Sequence, residues 1–213
     1  MLIRLFNAFV KITAWPVQFL IFRTKVYYED KSVQSRRIKG KAVIISNHTS
    51  VFDYAVYLFV FFFRTLRVQM AEVLFDKKPL GLFLKAMGGI YVNRDAKNFG
   101  FVSKSIDILD KGGVVGIFPE SRLPLKGEKR PLEFKTSAAY IALLANSPVI
   151  PVFTNGLYFS KKRARVIVGK PIDLNDFVDG SLSEKENLSS ATKALRDKII
   201  ELERLLNEKQ SDK

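Results

Sequence analysis

The chain contains no cysteine and only one histidine, His48, among its 213 residues. The absence of cysteine excludes disulfides, thiolate metal sites and cysteine nucleophiles, and it fits a reducing compartment. Any imidazole chemistry must therefore involve His48.

Long uninterrupted apolar runs are also missing. The first 22 residues are apolar and aromatic, but Arg4, Lys11 and Pro16 interrupt them, so the run of about 20 apolar residues that a plain transmembrane helix needs is absent. No small-residue cleavage site of the kind that ends a signal peptide lies between Phe19 and Lys25. Two aromatic-rich pieces broken at Trp15 predict a segment that lies in the membrane interface, with a helix hairpin in the core as the alternative.

Acidic residues are the minority, since 35 Lys and Arg stand against 21 Asp and Glu and leave a net charge of +14. An anionic partner is therefore expected. A nucleic-acid-binding protein is one class that this charge permits, but zinc spacing, an RNA-recognition signature and a basic helix are absent, so nucleic acid is not expected. Arg36-Arg37 and Lys161-Lys162-Arg163 are candidates for attracting anionic lipid head groups, with solvated basic loops as the alternative.

Apolar patterns of two periods alternate along the chain after about residue 41. The predicted strands are residues 42–46, 67–71, 90–93, 114–118, 149–153 and 165–168. The predicted helices are residues 50–63, 79–87, 98–111 and 136–146, and an amphipathic C-terminal helix that begins with a capping box at Ser183. This alternation predicts a single α/β domain with a mixed or largely parallel central sheet flanked by helices.

His48 follows the first of these strands, and a helix pattern begins at about Ser50. A turn at Thr49-Ser50 can fold the imidazole back over the first helical turn. Asp53, five positions after His48, can then accept a hydrogen bond from one ring nitrogen and leave the other free as a base. The alternative is structural, because Ser50 and Asp53 also have the spacing of a capping box.

Two further strand ends carry polar or charged residues. Gly88-Gly89 leads through an apolar strand to Arg94, whose planar guanidinium suits a phosphate or carboxylate. The other strand runs into Phe118-Pro119-Glu120-Ser121-Arg122, where Glu120 can accept from a polyol hydroxyl and Arg122 can hold a phosphate. A basic loop from Lys126 to Arg130, and then Lys135, adds positive charge here. Surface ion pairs are the alternative for both strand ends.

These motifs, in this order, resemble the four blocks of the glycerolipid acyltransferase family, most closely those of its lysophosphatidate acyltransferases. The matching residues are Asn47-His48 with Asp53, Gly89 to Arg94, Phe118 to Arg122, and Val149 to Val152. Four ordered blocks are far more specific than one. The third block, usually Phe-Pro-Glu-Gly-Thr-Arg, is one residue short here and has Ser121 where glycine is usual.

The resemblance implies an O-acyltransferase domain at residues 31–213 behind a membrane-anchoring helical segment at residues 1–30. Its implied reaction moves a fatty acyl group from acyl-CoA or acyl-carrier protein to the free sn-2 hydroxyl of 1-acyl-sn-glycerol-3-phosphate and makes phosphatidate. His48 would be the general base and Asp53 would orient it. The implied partners are a phospholipid membrane, lysophosphatidate and the acyl donor, at the cytoplasmic face of a bacterial membrane, and no metal or cofactor is expected.

The resemblance also suggests how the acceptor is held. Arg94 and Arg122 are the first candidates for its phosphate, and Lys126 and Lys135 are weaker ones. Glu120 would contact the glycerol hydroxyl or orient an arginine, and Ser121 would shape the pocket. Three alternatives stay open: another acceptor such as glycerol 3-phosphate or a different lysophospholipid, an acyl-serine at Ser46 or Ser50, and a membrane-binding module without catalysis.

Overall fold

A computed structural model of the chain describes residues 1–93, 99–159 and 163–211. The strands are β1 (Lys25–Tyr28), β2 (Ala42–Ser46), β3 (Leu66–Ala71), β4 (Ile90–Val92), β5 (Val114–Ile117), β6 (Val149–Thr154) and β7 (Arg165–Val168). The helices are α1 (Leu2–Thr13), α2 (Trp15–Val17), α3 (Asp53–Val60), α4 (Val73–Asp76), α5 (Leu80–Met87), α6 (Gly100–Asp110), α7 (Ser137–Leu144) and α8 (Glu184–Ser211). A π-helical turn, Gln18–Phe22, follows α2, and a 3₁₀ turn, Leu174–Phe177, precedes α8.

The strands of the described residues form one sheet in the order β1-β7-β6-β2-β5-β3-β4. β2 is central and pairs in parallel with both β5 and β6, and β3 and β4 continue the parallel arrangement beyond β5. β7 runs antiparallel to β6, and β1 pairs in parallel with β7. The carboxyl ends of β2, β3, β4, β5 and β6 therefore meet at one edge of the sheet, where open α/β sheets bind ligands.

β2 is buried on both faces, which explains its continuous apolar sequence. Val43 and Ile45 face a core that α6, α7 and α8 cover. Ala42 and Ile44 face a second core that contains residues of α3, α4 and α5, together with Phe22 of the π-helical turn. The sheet is thus the middle layer between two layers of helices, and the predicted α/β fold class is confirmed.

All six predicted strands are present, with ends that differ by at most one residue from the prediction. β1 and α4 were not predicted. β1 is an edge strand with only Tyr27 buried, so its sequence lacks a clear apolar pattern. The predicted capping box of the C-terminal helix is confirmed, because the Ser183 backbone N–H donates to the Glu186 carboxylate at 2.9 Å and the Glu186 N–H donates to the Ser183 hydroxyl at 3.3 Å.

α1 presents apolar side chains to the outside of the protein. Leu2, Leu5, Phe9 and Ile12 are 60–80% exposed and recur at helical spacing. Trp15, Phe19 and Leu20 continue this exposed apolar surface beyond α1. The helical character of the N-terminal segment is confirmed for residues 2–22, whereas residues 25–28, which were predicted to belong to it, form β1 of the sheet. Membrane binding and the division of the chain at residue 30 stay predictions.

Polar side chains attach the other side of α1 to the domain. The amide of buried Asn7 donates to the Met87 carbonyl at 2.9 Å. The ammonium of buried Lys11 donates to the carbonyls of Phe61, Phe62 and Arg64 at 3.3, 3.0 and 2.6 Å, just beyond the end of α3. A cation is favoured there because the carbonyls at a helix C-terminus carry partial negative charge. α1 therefore has its polar side towards the protein and its apolar side outward.

Among the described residues, no single helix is long and apolar enough to span a membrane. The pair Leu2–Thr13 and Trp15–Phe22, which is bent by 49°, reaches the required length and composition only when its two parts are taken together.

Replacing Lys11 with methionine should detach α1 from the domain. The change keeps the aliphatic stem but removes the donor to three carbonyls, so the free energy of unfolding should fall by about 1 to 3 kcal/mol. Urea denaturation measures this loss, and limited proteolysis should show earlier cleavage near the N-terminus. Arg4→Met is the matched control, because Arg4 is exposed on the same helix. Equal stability of both variants would contradict this account of docking.

Candidate active site

Asn47 joins the ends of two neighbouring strands. Its side-chain amide donates to the Thr154 carbonyl at 2.9 Å, and its side-chain oxygen accepts from the Thr154 backbone N–H at 2.9 Å. Through these two bonds the buried side chain of Asn47 extends the pairing of β2 with β6 beyond the last strand residue. Asn47, and with it the backbone that leads into His48, is therefore held in place at the edge of the sheet.

His48 and Asp53 are in direct contact. The Nδ1 atom of His48 lies 2.8 Å from the Oδ2 atom of Asp53. The Asp53 side chain is fully buried, whereas 21% of the His48 side chain is exposed. Because a carboxylate accepts at Nδ1, that nitrogen carries the proton and Nε2 is the basic nitrogen of the ring. Among the described residues, no hydrogen-bond partner is found for Nε2.

Asp53 also organises the turn that carries His48. Its Oδ2 atom accepts from the backbone N–H groups of Thr49 and Ser50 at 2.7 and 3.0 Å, and its Oδ1 atom accepts from the Thr49 hydroxyl at 2.8 Å and from the Tyr158 hydroxyl. Burial alone would raise the pKa of the Asp53 carboxyl, but the bonds from His48, Tyr158, Ser50 and Thr49 outweigh it and lower the pKa. One carboxylate therefore bonds both the turn and the imidazole. The capping box expected at Ser50 is only half formed, because α3 begins at Asp53 and the Ser50 hydroxyl accepts from the Phe52 N–H and not from the Asp53 N–H.

Aromatic rings fix the plane of the imidazole. The His48 ring stacks on Phe118 at a centroid distance of 4.5 Å, and Phe118 in turn stacks on Tyr57 at 6.0 Å. The Tyr57 hydroxyl is hydrogen-bonded to Ser46. Ser46 is buried, and the hydroxyl of Ser50 accepts from the Phe52 N–H at 3.2 Å. Neither serine lines the cavity that His48 faces in the described part of the chain.

Glu120 holds the backbone of His48 in place through hydrogen bonds. Its Oε1 atom accepts from the His48 backbone N–H at 2.7 Å, and its Oε2 atom accepts from the Leu132 N–H at 2.9 Å. Burial raises the pKa of this carboxyl, although the same two N–H groups oppose the rise. Both oxygens are thus occupied by backbone donors, and contact between Glu120 and a glycerol hydroxyl stays a prediction.

A cavity of about 700 Å³ opens beside His48, which is a size typical of small-molecule sites. Its wall is largely apolar, and polar side chains also contribute to the lining. The apolar lining includes Met70, Val92, Phe99, Phe101, Ile117 and Phe118, and the polar lining includes Gln69, Asn93, Ser121, Lys135, Thr136 and Ser137. Such a cavity suits an amphipathic substrate with a polar head.

The predicted phosphate-binding cations differ in where they lie. Lys135 lines the cavity. Arg122 forms a two-pronged ion pair with Glu128 at 2.7 and 2.8 Å on the surface, and Lys126 is exposed and outside the lining among the described residues. Arg94 lies outside the described residues. Binding by all four stays a prediction, and Lys135 is the described cation with direct access to the cavity beside His48.

Ser121 lines the cavity and has a backbone φ of +62°. Glycine adopts this left-handed conformation without steric cost, whereas another residue pays about 1 kcal/mol. Ser121 thus occupies a backbone position that favours glycine.

Sequence reasoning missed Tyr158. Burial, and then the charge of Asp53, raise the pKa of its hydroxyl, so this group stays protonated and donates to Asp53. The Tyr158 hydroxyl is also bonded to the Thr154 hydroxyl at 3.0 Å. A usable signal was present, because Tyr158 follows the strand 149–153, whose carboxyl end would meet that of β2 in a parallel sheet. Applying the strand-end rule to that strand would have found it.

The family follows from comparison with known proteins. Residues 23–155, more than half of the chain, match the model of the Acyltransferase family. The chain belongs to the acyltransferase family. It is 33% identical over 140 residues to a 1-acyl-sn-glycerol-3-phosphate acyltransferase of Bacillus subtilis, with 63% of this chain and 67% of the relative covered.

Other relatives carry the same activity in their names. A 1-acyl-sn-glycerol-3-phosphate acyltransferase of Borreliella burgdorferi is 27% identical over 175 residues, covering 76% of this chain and 66% of the relative. A human 1-acyl-sn-glycerol-3-phosphate acyltransferase beta is 25% identical over 160 residues, covering 72% and 56%. This acyltransferase-family chain thus spans between about half and two thirds of the length of these relatives.

The fold is shared with a solved structure. The crystal structure of the 1-acyl-sn-glycerophosphate acyltransferase of Thermotoga maritima matches with a TM-score of 0.60 at 18% identity, and 95% of each chain is covered. At this identity the match concerns the fold of this acyltransferase-family chain and nothing finer.

The lowered pKa of Asp53 predicts a pH-dependent contribution to stability. The charged carboxylate is favoured in the folded state, so its contribution is complete above the ordinary pKa of 3.8 and is lost as the pH falls through the lower folded-state value. Asp53→Asn should therefore lower the unfolding free energy by about 3 kcal/mol near neutral pH, and the difference should shrink towards about pH 3. Asp107→Asn, at an exposed position, should show neither effect. Urea denaturation at several pH values would contradict the account if the Asp53→Asn difference stayed constant.

Proposed function

We propose that this chain transfers a fatty acyl group from an acyl thioester to the free sn-2 hydroxyl of 1-acyl-sn-glycerol-3-phosphate, which yields phosphatidate. The observation that carries the proposal is the 2.8 Å contact between buried Asp53 and His48, which lines the cavity of about 700 Å³. Relatives that bear the name of this activity support the choice of acceptor.

The proposed reaction begins at Nε2 of His48. This nitrogen takes the proton of the acceptor hydroxyl while the hydroxyl oxygen attacks the thioester carbonyl. The imidazolium that forms is stabilised by Asp53, whose hydrogen bond holds Nδ1 protonated and directs Nε2 to the cavity. The tetrahedral intermediate then expels the thiolate, which takes the proton from Nε2 as the new ester forms. All proton transfers of this route run through the imidazole and the thiolate leaving group.

Lys135 is proposed to bind the phosphate of the acceptor. It lines the cavity from the loop that starts at Pro119, to whose carbonyl the Lys135 backbone N–H donates at 2.9 Å. The aromatic and aliphatic wall is proposed to hold the first part of the acyl chains. Arg94 follows β4, another strand that ends at this edge, and is proposed as a second cation for the phosphate.

Access from a membrane is proposed to run along an aromatic surface that links the N-terminal segment to the site. Phe22 lies 6.2 Å from Phe52 and 5.6 Å from Phe159 between ring centroids, and Phe52 and Phe159 are 4.8 Å apart. Phe52 and Phe159 are exposed, and Phe52 immediately precedes α3 and Asp53. Peripheral association through this surface, at the cytoplasmic face of a bacterial membrane, would let a lipid acceptor reach His48.

His48→Ala should lower acyl transfer to lysophosphatidate by about 100-fold to 10,000-fold, because it removes the general base. Phosphatidate formed from a labelled acyl thioester measures the effect, with acyl-CoA and acyl-carrier protein compared as donors. Tyr28→Phe, far from the site on β1, is the control for handling and folding. Full activity of folded His48→Ala would contradict the proposed mechanism. If the unaltered protein acylates glycerol 3-phosphate or another lysophospholipid but not lysophosphatidate, the proposed acceptor is wrong.

The different positions of Lys135 and Arg122 give a second test. Lys135→Ala should raise KM for lysophosphatidate about tenfold, which corresponds to loss of one charge-assisted hydrogen bond of about 1.4 kcal/mol. Arg122→Ala should change KM by less, because its guanidinium is paired with Glu128 on the surface. Steady-state kinetics with varied acceptor separate the two. A larger effect of Arg122→Ala than of Lys135→Ala would move the phosphate site to the Arg122 loop.

A further inference from the structure

A second cavity, of about 680 Å³, lies between the end of the N-terminal segment and the domain. Its lining combines apolar residues with polar and basic ones. The apolar residues are Trp15, Phe19, Leu20, Val26, Phe59 and Val60, and the others are Gln18, Arg23, Thr24, Arg36 and Arg163. Within the described ranges, none of these residues lines the cavity beside His48.

Three arginines from separate parts of the chain meet at this cavity. Arg23 ends the π-helical turn, Arg36 lies between β1 and β2, and Arg163 precedes β7. The Nε–H of Arg163 donates to the Arg23 carbonyl at 3.0 Å, which holds the two residues together. In the described part of the chain, no Asp or Glu lines the cavity, and none forms an ion pair with these arginines.

All three arginines are exposed, so water and salt screen their mutual repulsion, but no carboxylate among the lining residues offsets their charge. A bound anion would relieve that repulsion, and the planar guanidinium group matches the oxygens of a phosphate particularly well. The charge of the cavity therefore selects an anion, and its guanidinium groups favour a phosphate.

The apolar wall points to the rest of the ligand. Trp15 packs edge to face on Phe59 and Phe62, at centroid distances of 6.2 and 5.6 Å, so the wall on this side is built from aromatic rings. Phe19 and Leu20, which also line the cavity, are 69% and 70% exposed and belong to the apolar surface of the N-terminal segment. A free phosphate would leave this wall in water, whereas a phosphate attached to a glycerolipid would cover it.

We propose that this cavity is a binding site for the phosphate of an anionic glycerophospholipid. Arg23, Arg36 and Arg163 contact the phosphate, and the wall around Trp15 contacts the glycerol and the first part of the acyl chains. The bound lipid is not the substrate of the reaction at His48. Its role is to hold the N-terminal segment against an anionic membrane, so the proposal is independent of which acceptor the enzyme uses.

Trp15 provides a local measurement of binding, because it is the only tryptophan in the chain. Its emission is recorded while dihexanoyl phosphatidylglycerol is added below its micelle concentration. Dihexanoyl phosphatidylcholine and inorganic phosphate are titrated in parallel. The expected result is a saturable blue shift with phosphatidylglycerol, at a concentration at least about tenfold lower than any response to the other two probes.

The variant Arg36→Gln with Arg163→Gln should weaken this response to phosphatidylglycerol by about tenfold or more, since each removed charge near a lipid contributes about fivefold. Arg4→Gln with Arg37→Gln is the matched control. It removes the same net charge, but neither residue lines the cavity in the described structure. Because Arg163 also donates to the Arg23 carbonyl, Arg36→Gln alone is measured as well and should lose about fivefold.

Three outcomes would overturn the proposal. An equal loss in the control pair would mean that diffuse charge, and not this cavity, attracts the lipid. An equal response to phosphatidylcholine would show that the arginines do not select an anionic lipid. A response to inorganic phosphate at the same concentration would identify a site for free phosphate and not for a lipid. Acyl transfer is measured separately, so failure here would leave the function proposed for His48 untouched.

Discussion

The site depends on the hydrogen bonds that the buried carboxylate of Asp53 accepts. This carboxylate is fully buried, yet it accepts from the His48 ring, from two backbone N–H groups of the turn and from the Thr49 and Tyr158 hydroxyls. A buried charge is stable only when it is compensated in this way. Because the same donors define the turn, the charge that orients the imidazole also fixes the backbone that carries it.

The sheet explains why these groups meet. β2, β5 and β6 are parallel neighbours, so His48, Glu120 and Tyr158 follow strand ends at one edge although they are far apart in sequence. Backbone bonds then remove the remaining freedom, since Asn47 bonds Thr154 and Glu120 bonds the His48 N–H. The position of the imidazole is thus determined by three strand ends and does not depend on the mobility of one loop.

The sequence predicted the parts of this arrangement that are local or periodic. The strands and the α8 capping box follow from residue order over short distances. The contact between His48 and Asp53 was one of two interpretations of their spacing, and the order of the four motifs favoured it. The role of Glu120 as a backbone clamp did not follow, because its partners depend on how β2 and the loop at Leu132 approach each other in space. The ion pair between Arg122 and Glu128 could not be predicted either, because the two residues are six positions apart in a loop and meet only when that loop is folded.

The N-terminal helix α1 buries polar residues and exposes apolar ones, and its hydrogen bonds explain why. A helix with apolar residues on most faces should bury them, yet α1 buries Asn7 and Lys11 and leaves Leu5 and Phe9 outside. Lys11 can be buried because three carbonyls beyond α3 compensate its charge, and burial then lowers the pKa of this amine to about 8. The polar contacts hold α1 against the end of α5 and the end of α3 and fix the rotation of the helix. That rotation turns its apolar residues outward.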